Sequence, residues 1–176
     1  MDTGNGMSII VASDHAGFEL KERIVAALRQ QGRTVDDVGT RSPQPANWVE
    51  FGAAAAARVA ADPQHAVGIL ICGSGIGMSI VANKFPGVRA ALCHTEEAAR
   101  LARQHNDANI LALGARVLDP AAALRIVAVF LETPFAGGRH QTRLDYLRDH
   151  VEKRTEKPEN PKGPTNSTIQ HDDQEK

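Results

Sequence analysis

Residues 67–77, with the sequence VGILICGSGIG, decide the fold class. The first six form a continuous apolar run, which is typical of a strand buried on both faces of a sheet. A glycine-rich loop follows this run, and an apolar helical stretch then extends from about Met78 to Lys84. Strand, loop and helix in this order predict one unit of a parallel sheet that is covered by helices.

The same unit recurs on both sides of this stretch. Alternating strands and helices with short connections predict an α/β fold, a doubly wound, Rossmann-like, five-stranded parallel sheet with helices on both faces. The other predicted strands are Ile9–Ala12, Thr34–Val38, Val88–Cys93 and Ile110–Leu113. The other predicted helices run from Leu20 to about Leu28, from Val49 to Ala61, after the N-cap residue Thr95, from Pro120, and from about Arg139 to His150.

Length and composition exclude several classes of protein. The 176 residues suit one domain, and 42% hydrophobic with 23% charged residues exclude a fibrous or wholly disordered chain. A formal charge of -1 leaves no basic field for nucleic acid or an anionic membrane, and the apolar runs are too short to cross a bilayer. Only two cysteines and no signal-like segment favour a cytoplasmic location.

The sequence predicts one folded domain from residue 8 to residue 151. Residues 1–7 are expected to be a flexible N-terminal extension. From residue 152 to residue 176 the chain is charged and proline-rich and holds one large aliphatic residue, Ile169, so we expect a disordered polar C-terminal tail.

Polar residues and glycines follow the predicted strands, at the edge where parallel sheets bind ligands. Asp14 and His15 follow the first strand, and the loop Gly73–Gly77 follows Cys72. Alternate glycines free backbone N–H groups to converge on an anion. Met78 replaces the third glycine of a dinucleotide fingerprint, and the chain lacks the Gly-Lys-Ser or Gly-Lys-Thr of a P-loop here, so the anion is not expected to be a nucleotide.

Cys72 has two possible roles. The loop beside it supplies N–H groups that favour a thiolate, so the residue suits a general base. Free cysteine is also among the most buried residue types and often only fills a core, a role that fits Cys93 better. The cysteines and histidines include no close ligand pair of the zinc type, so a metal site is not expected.

Arg139 and Arg143 lie four residues apart, so a helix presents both guanidinium groups on one face beside His140. Two guanidinium groups on one face suit a phosphate. A solvated helix face with Arg143 in an ion pair is an equal alternative. Taken alone, His105 is expected to be a surface or capping residue between a helix and the fifth strand.

Five short blocks combine these features: Ser-Asp-His-Ala-Gly at 13–17, Cys-Gly-Ser-Gly-Ile-Gly at 72–77, Ala-Asn-Lys at 82–84, Arg-Gln-His-Asn-Asp at 103–107 and Gly-Gly-Arg-His-Gln at 137–141. In this order and at this spacing the chain, from about Ser8 to His150, resembles the ribose-5-phosphate isomerase B family, which also includes isomerases of galactose 6-phosphate. The resemblance implies the doubly wound fold, no cofactor and no metal. It also implies a homodimer or a dimer of dimers with shared active sites.

The resemblance also implies a role for each matching residue. Cys72 is the base that carries a proton between two sugar carbons, and the Ser74 hydroxyl assists it. His105 opens the furanose ring. The implied substrate-binding residues are Asn106, which steadies the reacting oxygens, Asp14, which orients sugar hydroxyls, Gly73, Gly75, Ile76 and Gly77, which form the oxyanion site, and His15, Arg139 and Arg143, which hold the phosphate. In the family, the residues matching His105, Asn106 and Arg116 reach the pocket from a neighbouring subunit.

The expected function is aldose–ketose isomerisation of ribose 5-phosphate and ribulose 5-phosphate by cysteine-mediated proton transfer through an enediolate. A second family branch places a glutamate base where this chain has Met78, so Cys72 is the expected base here. One alternative is another phosphorylated aldose, of the erythrose 4-phosphate or the galactose or allose 6-phosphate type. It is suggested by Trp48, which is expected either in the sugar pocket or on the dimer surface. The other alternative is a non-catalytic sugar-phosphate sensor.

Overall fold

Five parallel strands form one sheet in the computed structural model, which describes residues 7–153. The strands are β1 (Ser8–Ser13), β2 (Val35–Asp37), β3 (Ala66–Cys72), β4 (Ala90–Leu92) and β5 (Ile110–Gly114). Their spatial order is β2-β1-β3-β5-β4, and every neighbouring pair is parallel. The predicted doubly wound α/β fold is confirmed.

Helices cover both faces of this sheet. They are α1 (Phe18–Gln30), α2 (Trp48–Ala61), α3 (Ile76–Ala82), α4 (Glu96–Asn106), α5 (Pro120–Glu132) and α6 (Arg139–His150). Buried residues of α1, α4 and α5 pack on one face, and those of α2 and α3 pack on the other. Side chains of β3 alternate between the two cores: Ile69 and Ile71 face α1 and α5, whereas Leu70 and Cys72 face α2 and α3.

The strand β4 is shorter than the predicted run Val88–Cys93. Two side-chain amides take over backbone partners at its amino end: the Arg89 N–H donates to Asn109 Oδ1 at 2.8 Å, and the Ala90 N–H donates to Asn83 Oδ1 at 2.9 Å. The helix α3 begins at Ile76, before the predicted start at Met78, because Gly75 adopts φ +79° and turns the chain directly into the helix.

The predicted N-terminal extension, apart from Met7, and the predicted C-terminal tail, apart from residues 152 and 153, lie outside the described residues. Within residues 7–153, every helix is too short or too polar to span a bilayer.

The most deeply buried charge on this sheet belongs to Lys21 in α1, with a relative exposure of 0%. Its ammonium forms ion pairs with Asp37 at the end of β2 and with Glu22, and it lies 5.4 Å from the ring centroid of Phe18. The carboxylate of Asp37 also accepts the Gly39 N–H at 3.0 Å. This pair therefore fastens α1 to the edge of the sheet.

Removing the charge of Asp37 is expected to destabilise the fold far more than removing that of its neighbour Asp36. In Asp37→Asn the buried Lys21 ammonium keeps only the exposed Glu22 carboxylate as a partner. We expect the free energy of unfolding to fall by about 3 kcal/mol. Asp36 pairs with Arg58 at the surface, so Asp36→Asn should cost less than about 1 kcal/mol. Urea unfolding of both variants measures the difference, and equal losses would contradict the buried-pair explanation.

Candidate active site

Three neighbouring strands, β1, β3 and β5, end at the centre of one edge of the sheet. The chain leaves β1 toward β2 on one side and leaves β3 toward β4 on the other, so the direction of winding reverses between β1 and β3. Ligands of doubly wound sheets bind at such a point. Asp14 directly follows β1 and Cys72 ends β3, so the fold brings these two predicted residues to this edge.

The Asp14 side chain is buried, and its Oδ1 accepts the Gly17 N–H at 3.0 Å. The Asp14 N–H donates to the carbonyl of Ile71, which joins the start of the loop after β1 to β3. The next residue, His15, directs Nδ1 at Ala46, 3.2 Å from its N–H and 3.3 Å from its C=O. A neutral ring accepts from that N–H and a protonated ring donates to that C=O, so Ala46 orients His15 in either state.

The loop Gly73–Gly77 places backbone N–H donors beside the Cys72 thiol. The Gly75 N–H donates to Cys72 Sγ at 3.1 Å, and the Ile76 N–H donates to Ser74 Oγ at 3.3 Å. The N–H groups of Gly73, Ser74 and Gly77 have no acceptor within residues 7–153. They remain available to an anion, which is the property that the glycine spacing predicts.

The loop after β5 holds the loop Gly73–Gly77 through backbone hydrogen bonds. The N–H groups of Ala115 and Arg116 donate to the carbonyls of Cys72 and Gly73, both at 2.9 Å. A Cβ on Gly114 would lie 2.7 Å from the carbonyl oxygen of Ser74, so only glycine allows this approach. The Arg116 side chain lies beside Gly73 of the same chain. The β5 loop thus holds Arg116 next to the anion loop of its own chain.

Trp48 begins α2 and packs on the same loop. A Cβ on Gly77 would lie 3.0 Å from the indole, so the absence of a side chain there makes room for the ring. Trp48 is 36% exposed, and Val49 on the same helix and Ile76 and Ile80 on α3 are exposed as well. The structure therefore places Trp48 beside the predicted oxyanion site and leaves part of the ring open to a partner or a substrate.

His105 and Asn106 lie at the opposite edge of the sheet. Both belong to the last turn of α4, which starts beyond the carboxyl end of β4 and ends before β5 begins. Asp107 caps this helix with φ +43° and pairs with Arg89 and Arg103, at 2.9 and 3.0 Å. His105 is thus part of the helix, not the residue after it, and its ring is fixed by a packed partner.

That partner is His140, whose ring stacks on His105 with centroids 4.2 Å apart and planes at 8°. His140, Arg139 and Arg143 all lie on α6, which packs on α4. Burial lowers the pKa of His140, and the positive charges of His105, Arg139 and Arg143 lower it further. The sequence singled out the arginines but assigned no role to His140, because a contact between two helices leaves no local signal.

The predicted site residues therefore form two groups on each chain. One group at the carboxyl edge holds Asp14, His15, Cys72, Ser74, the loop glycines and Arg116, and the other at the amino edge holds His105, Asn106, Arg139 and Arg143. The seven residues of β3 set the edges about 20 Å apart, at ~3.3 Å per residue. Neither arginine forms an ion pair within residues 7–153, so the ion-pair alternative for Arg143 is wrong for this part of the chain.

The second cysteine has a different environment. Cys93 is 1% exposed and packs in the core under α4 and α5. Burial raises the pKa of its thiol to about 11, so it stays protonated at neutral pH. Within residues 7–153 no three His, Cys, Asp or Glu side chains are close enough together to hold a metal ion. The two thiols differ in their contacts: the Cys72 sulfur accepts the backbone N–H of Gly75, whereas the Cys93 thiol donates to the Ala91 carbonyl.

Comparison with known proteins identifies the family. Residues 9–147 match the model of the family described as Ribose/Galactose Isomerase. This match covers most of the chain and both groups of site residues. The chain therefore belongs to the Ribose/Galactose Isomerase family.

Individual relatives agree with the family match. The chain is 44% identical over 139 residues to ribose-5-phosphate isomerase B of Escherichia coli, covering 79% of this chain and 93% of that protein. A structure of the Clostridium thermocellum ribose-5-phosphate isomerase B superposes with a TM-score of 0.81 at 44% identity, over 85% of this chain and 99% of that one. The Mycoplasma genitalium enzyme with bound ribulose-5-phosphate gives a TM-score of 0.78 at 39% identity, over 80% and 93%.

Thiol reagents should distinguish the two cysteines. Iodoacetamide near pH 8 is expected to modify Cys72 and to leave Cys93 unmodified, because the Cys93 thiol is buried and has a pKa of about 11. Mass spectrometry of the native protein identifies the modified residue. The matched variants are Cys93→Ala, which should be modified like wild type, and Cys72→Ala, which should resist; modification of Cys93 at a comparable rate would contradict the assignment.

Proposed function

We propose that this chain interconverts ribose 5-phosphate and ribulose 5-phosphate by a sulfur base without a bound cofactor. The observation that carries the proposal is the Cys72 thiol beside a loop whose backbone N–H groups are free to bind an anion. Membership of the isomerase family and the names of the relatives support this substrate pair. The proposed partner is therefore a phosphorylated monosaccharide.

The proposed reaction moves one proton between neighbouring carbons. The Cys72 thiolate takes the proton from C2 of open-chain ribose 5-phosphate, and the electrons of the broken C–H bond form the C1–C2 double bond of an enediolate. The thiol then returns the proton to C1, the hydroxyl proton of O2 passes to O1, and a carbonyl forms at C2. Every atom is conserved, so the step needs no oxidant or reductant.

The negative charge of the enediolate develops on O1, and the loop supplies donors for it. The free N–H groups of Gly73, Ser74 and Gly77 are held by a loop that is already fixed to the sheet, and the loss of one such donor typically costs about 3 kcal/mol of barrier. The N–H groups of Gly75 and Ile76 orient the thiol and the Ser74 hydroxyl. Each backbone N–H of the loop is therefore proposed to bind either the substrate oxygen or a side chain of the site.

The other residues of the carboxyl edge are proposed to bind the sugar. Asp14 uses one carboxylate oxygen to cap the turn after β1, which leaves Oδ2 for sugar hydroxyls. His15 and Arg116 add donors on either side of the thiol loop. The residue proposed to open the furanose ring, His105, and the arginines proposed for the phosphate lie at the amino edge, about one strand length away.

A second copy of the chain supplies the missing groups in this proposal. Its amino edge would bring His105 for ring opening and Asn106 for the reacting oxygens to the Cys72 loop of the first copy. Arg139 and Arg143 of the same edge would bind the phosphate. Trp48 packs on Gly77 of that loop and Ile76 belongs to the loop, and both side chains are apolar and exposed, which suits a contact between copies. A homodimer, alone or paired into a dimer of dimers, is thus the proposed active form.

We also propose a cytoplasmic location. Cys72 and Cys93 are both free thiols, and the proposed mechanism needs the first one to stay reduced.

Replacing the proposed base should abolish turnover without unfolding the protein. Cys72→Ala is expected to lower kcat for ribose 5-phosphate by about a thousandfold, the range of a lost acid–base group. A coupled assay measures kcat, and thermal unfolding checks the fold. Cys93→Ala replaces the other buried cysteine and is the matched control, which should keep wild-type activity. A kcat of Cys72→Ala within tenfold of wild type would contradict the mechanism.

Mixing two inactive variants tests the shared site. Cys72→Ala and His105→Ala chains are each expected to be inactive alone, because every site lacks one group. Random pairing makes half of the dimers hybrid with one intact site each, so the mixture should regain about a quarter of wild-type activity. A chain carrying both substitutions, mixed with Cys72→Ala, is the control and should regain none. No recovery in the first mixture would contradict a site shared between chains.

A further inference from the structure

The stacked pair His105 and His140 has a feature that the proposed reaction does not yet use. His140 is 8% exposed, and its Nδ1 is buried without a hydrogen-bond partner within residues 7–153. The ring therefore contacts His105 through its face, with centroids 4.2 Å apart. His140 therefore contacts the proposed ring-opening residue with the face of its ring.

The backbone holds this flat surface firmly. Gly137 and Gly138 both adopt positive φ, +64° and +54°, and turn the chain into α6. The Ala136 N–H donates to the carbonyl of Gln104 at 3.0 Å, which joins the turn to the last turn of α4. The His140 N–H donates to the Gly137 carbonyl at 3.1 Å. The position of His140 is thus fixed relative to the helix that carries His105.

The electrostatics of the cluster keep this surface uncharged. The groups that face His140 are His105 on α4 with Arg139 and Arg143 on its own helix, and all three disfavour a proton on it. A neutral ring does not repel His105 when His105 carries a proton during catalysis. The face of an aromatic ring also attracts a cation.

We propose that His140 is a positioning residue, whose ring face holds the His105 imidazole in the orientation that ring opening requires. The inference rests on the ring-opening role proposed above for His105. Without the stack, the imidazole can rotate about its side-chain torsions, and small misplacements of a catalytic group are costly.

Only the reaction that starts from ribose 5-phosphate requires ring opening, so the two directions of the reaction can be tested separately. In the furanose form of ribose 5-phosphate, the O1 hydroxyl loses a proton, the bond between C1 and the ring oxygen breaks, and the ring oxygen gains a proton as O4. Ribulose 5-phosphate carries its phosphate on O5, so it has no hydroxyl with which to close a furanose ring and stays open. A defect in ring opening therefore slows ribose 5-phosphate but spares proton transfer on ribulose 5-phosphate.

The experiment compares His140→Leu, which fills the volume without a flat face, with His140→Phe, which keeps the face. The Leu variant is expected to lower kcat for ribose 5-phosphate by about 10- to 100-fold, with KM within about twofold of wild type. Cys72-dependent entry of deuterium from D2O into C1 of ribulose 5-phosphate, followed by NMR, should remain within about threefold of wild type. The Phe variant should recover most of the lost kcat.

Each other outcome overturns the inference. An unchanged kcat in the Leu variant, an equal loss in both variants, a rise in KM alone, or a parallel loss of deuterium exchange would show that His140 does not act through the orientation of His105. If the Leu variant does not fold, the Phe variant decides by itself, since a loss of kcat there contradicts a role for the ring face. His105→Ala tests the underlying proposal separately: if it loses deuterium exchange and isomerisation equally, the ring-opening role of His105 fails first.

Discussion

The parallel pairing of the strands determines where each proposed functional group can lie. Because all five strands point the same way, their carboxyl ends share one edge, and each connecting helix must return the chain to the opposite edge. Residues that follow a strand and residues that end a helix are therefore separated by the length of a strand. Cys72 ends β3 and His105 lies in the last turn of α4, so no adjustment of side chains within one chain can join them. The geometry favours a site built between two copies.

Each half of the proposed site is rigid before any ligand binds. At the carboxyl edge, backbone hydrogen bonds from Ala115 and Arg116 extend the sheet past its last paired residues and hold the thiol loop. At the amino edge, the carboxylate of Asp107 joins Arg89 to Arg103 under the last turn of α4. Donors fixed in this way need no reorganisation when charge develops on a substrate. The protein thus orders both groups with interactions that are separate from the substrate contacts.

The sequence predicted the features whose signals are local. Mostly apolar runs of four to six residues located four of the five strands, and the recurring strand–helix pattern located β2, which contains Asp36 and Asp37. Glycine spacing located the anion loop. Features that depend on distant contacts were missed: the late start of β4, where Asn83 and Asn109 replace ladder partners, and the stack of His140 on His105. The burial of Lys21 was missed for the same reason, because its partner Asp37 lies on another element.

The two cysteines show why residue type alone does not assign chemistry. Both follow apolar runs, and both are largely buried, at 6% exposure for Cys72 and 1% for Cys93. The Cys93 thiol donates to the Ala91 carbonyl and burial raises its pKa, whereas the Cys72 sulfur accepts the N–H of Gly75 beside further unpaired donors. Gly75, with φ +79°, turns the chain from β3 directly into α3 and leaves these donors unpaired at the turn. The proposed reactivity of the thiol therefore originates in the loop that follows it, and the same loop would bind the charge that the thiol creates.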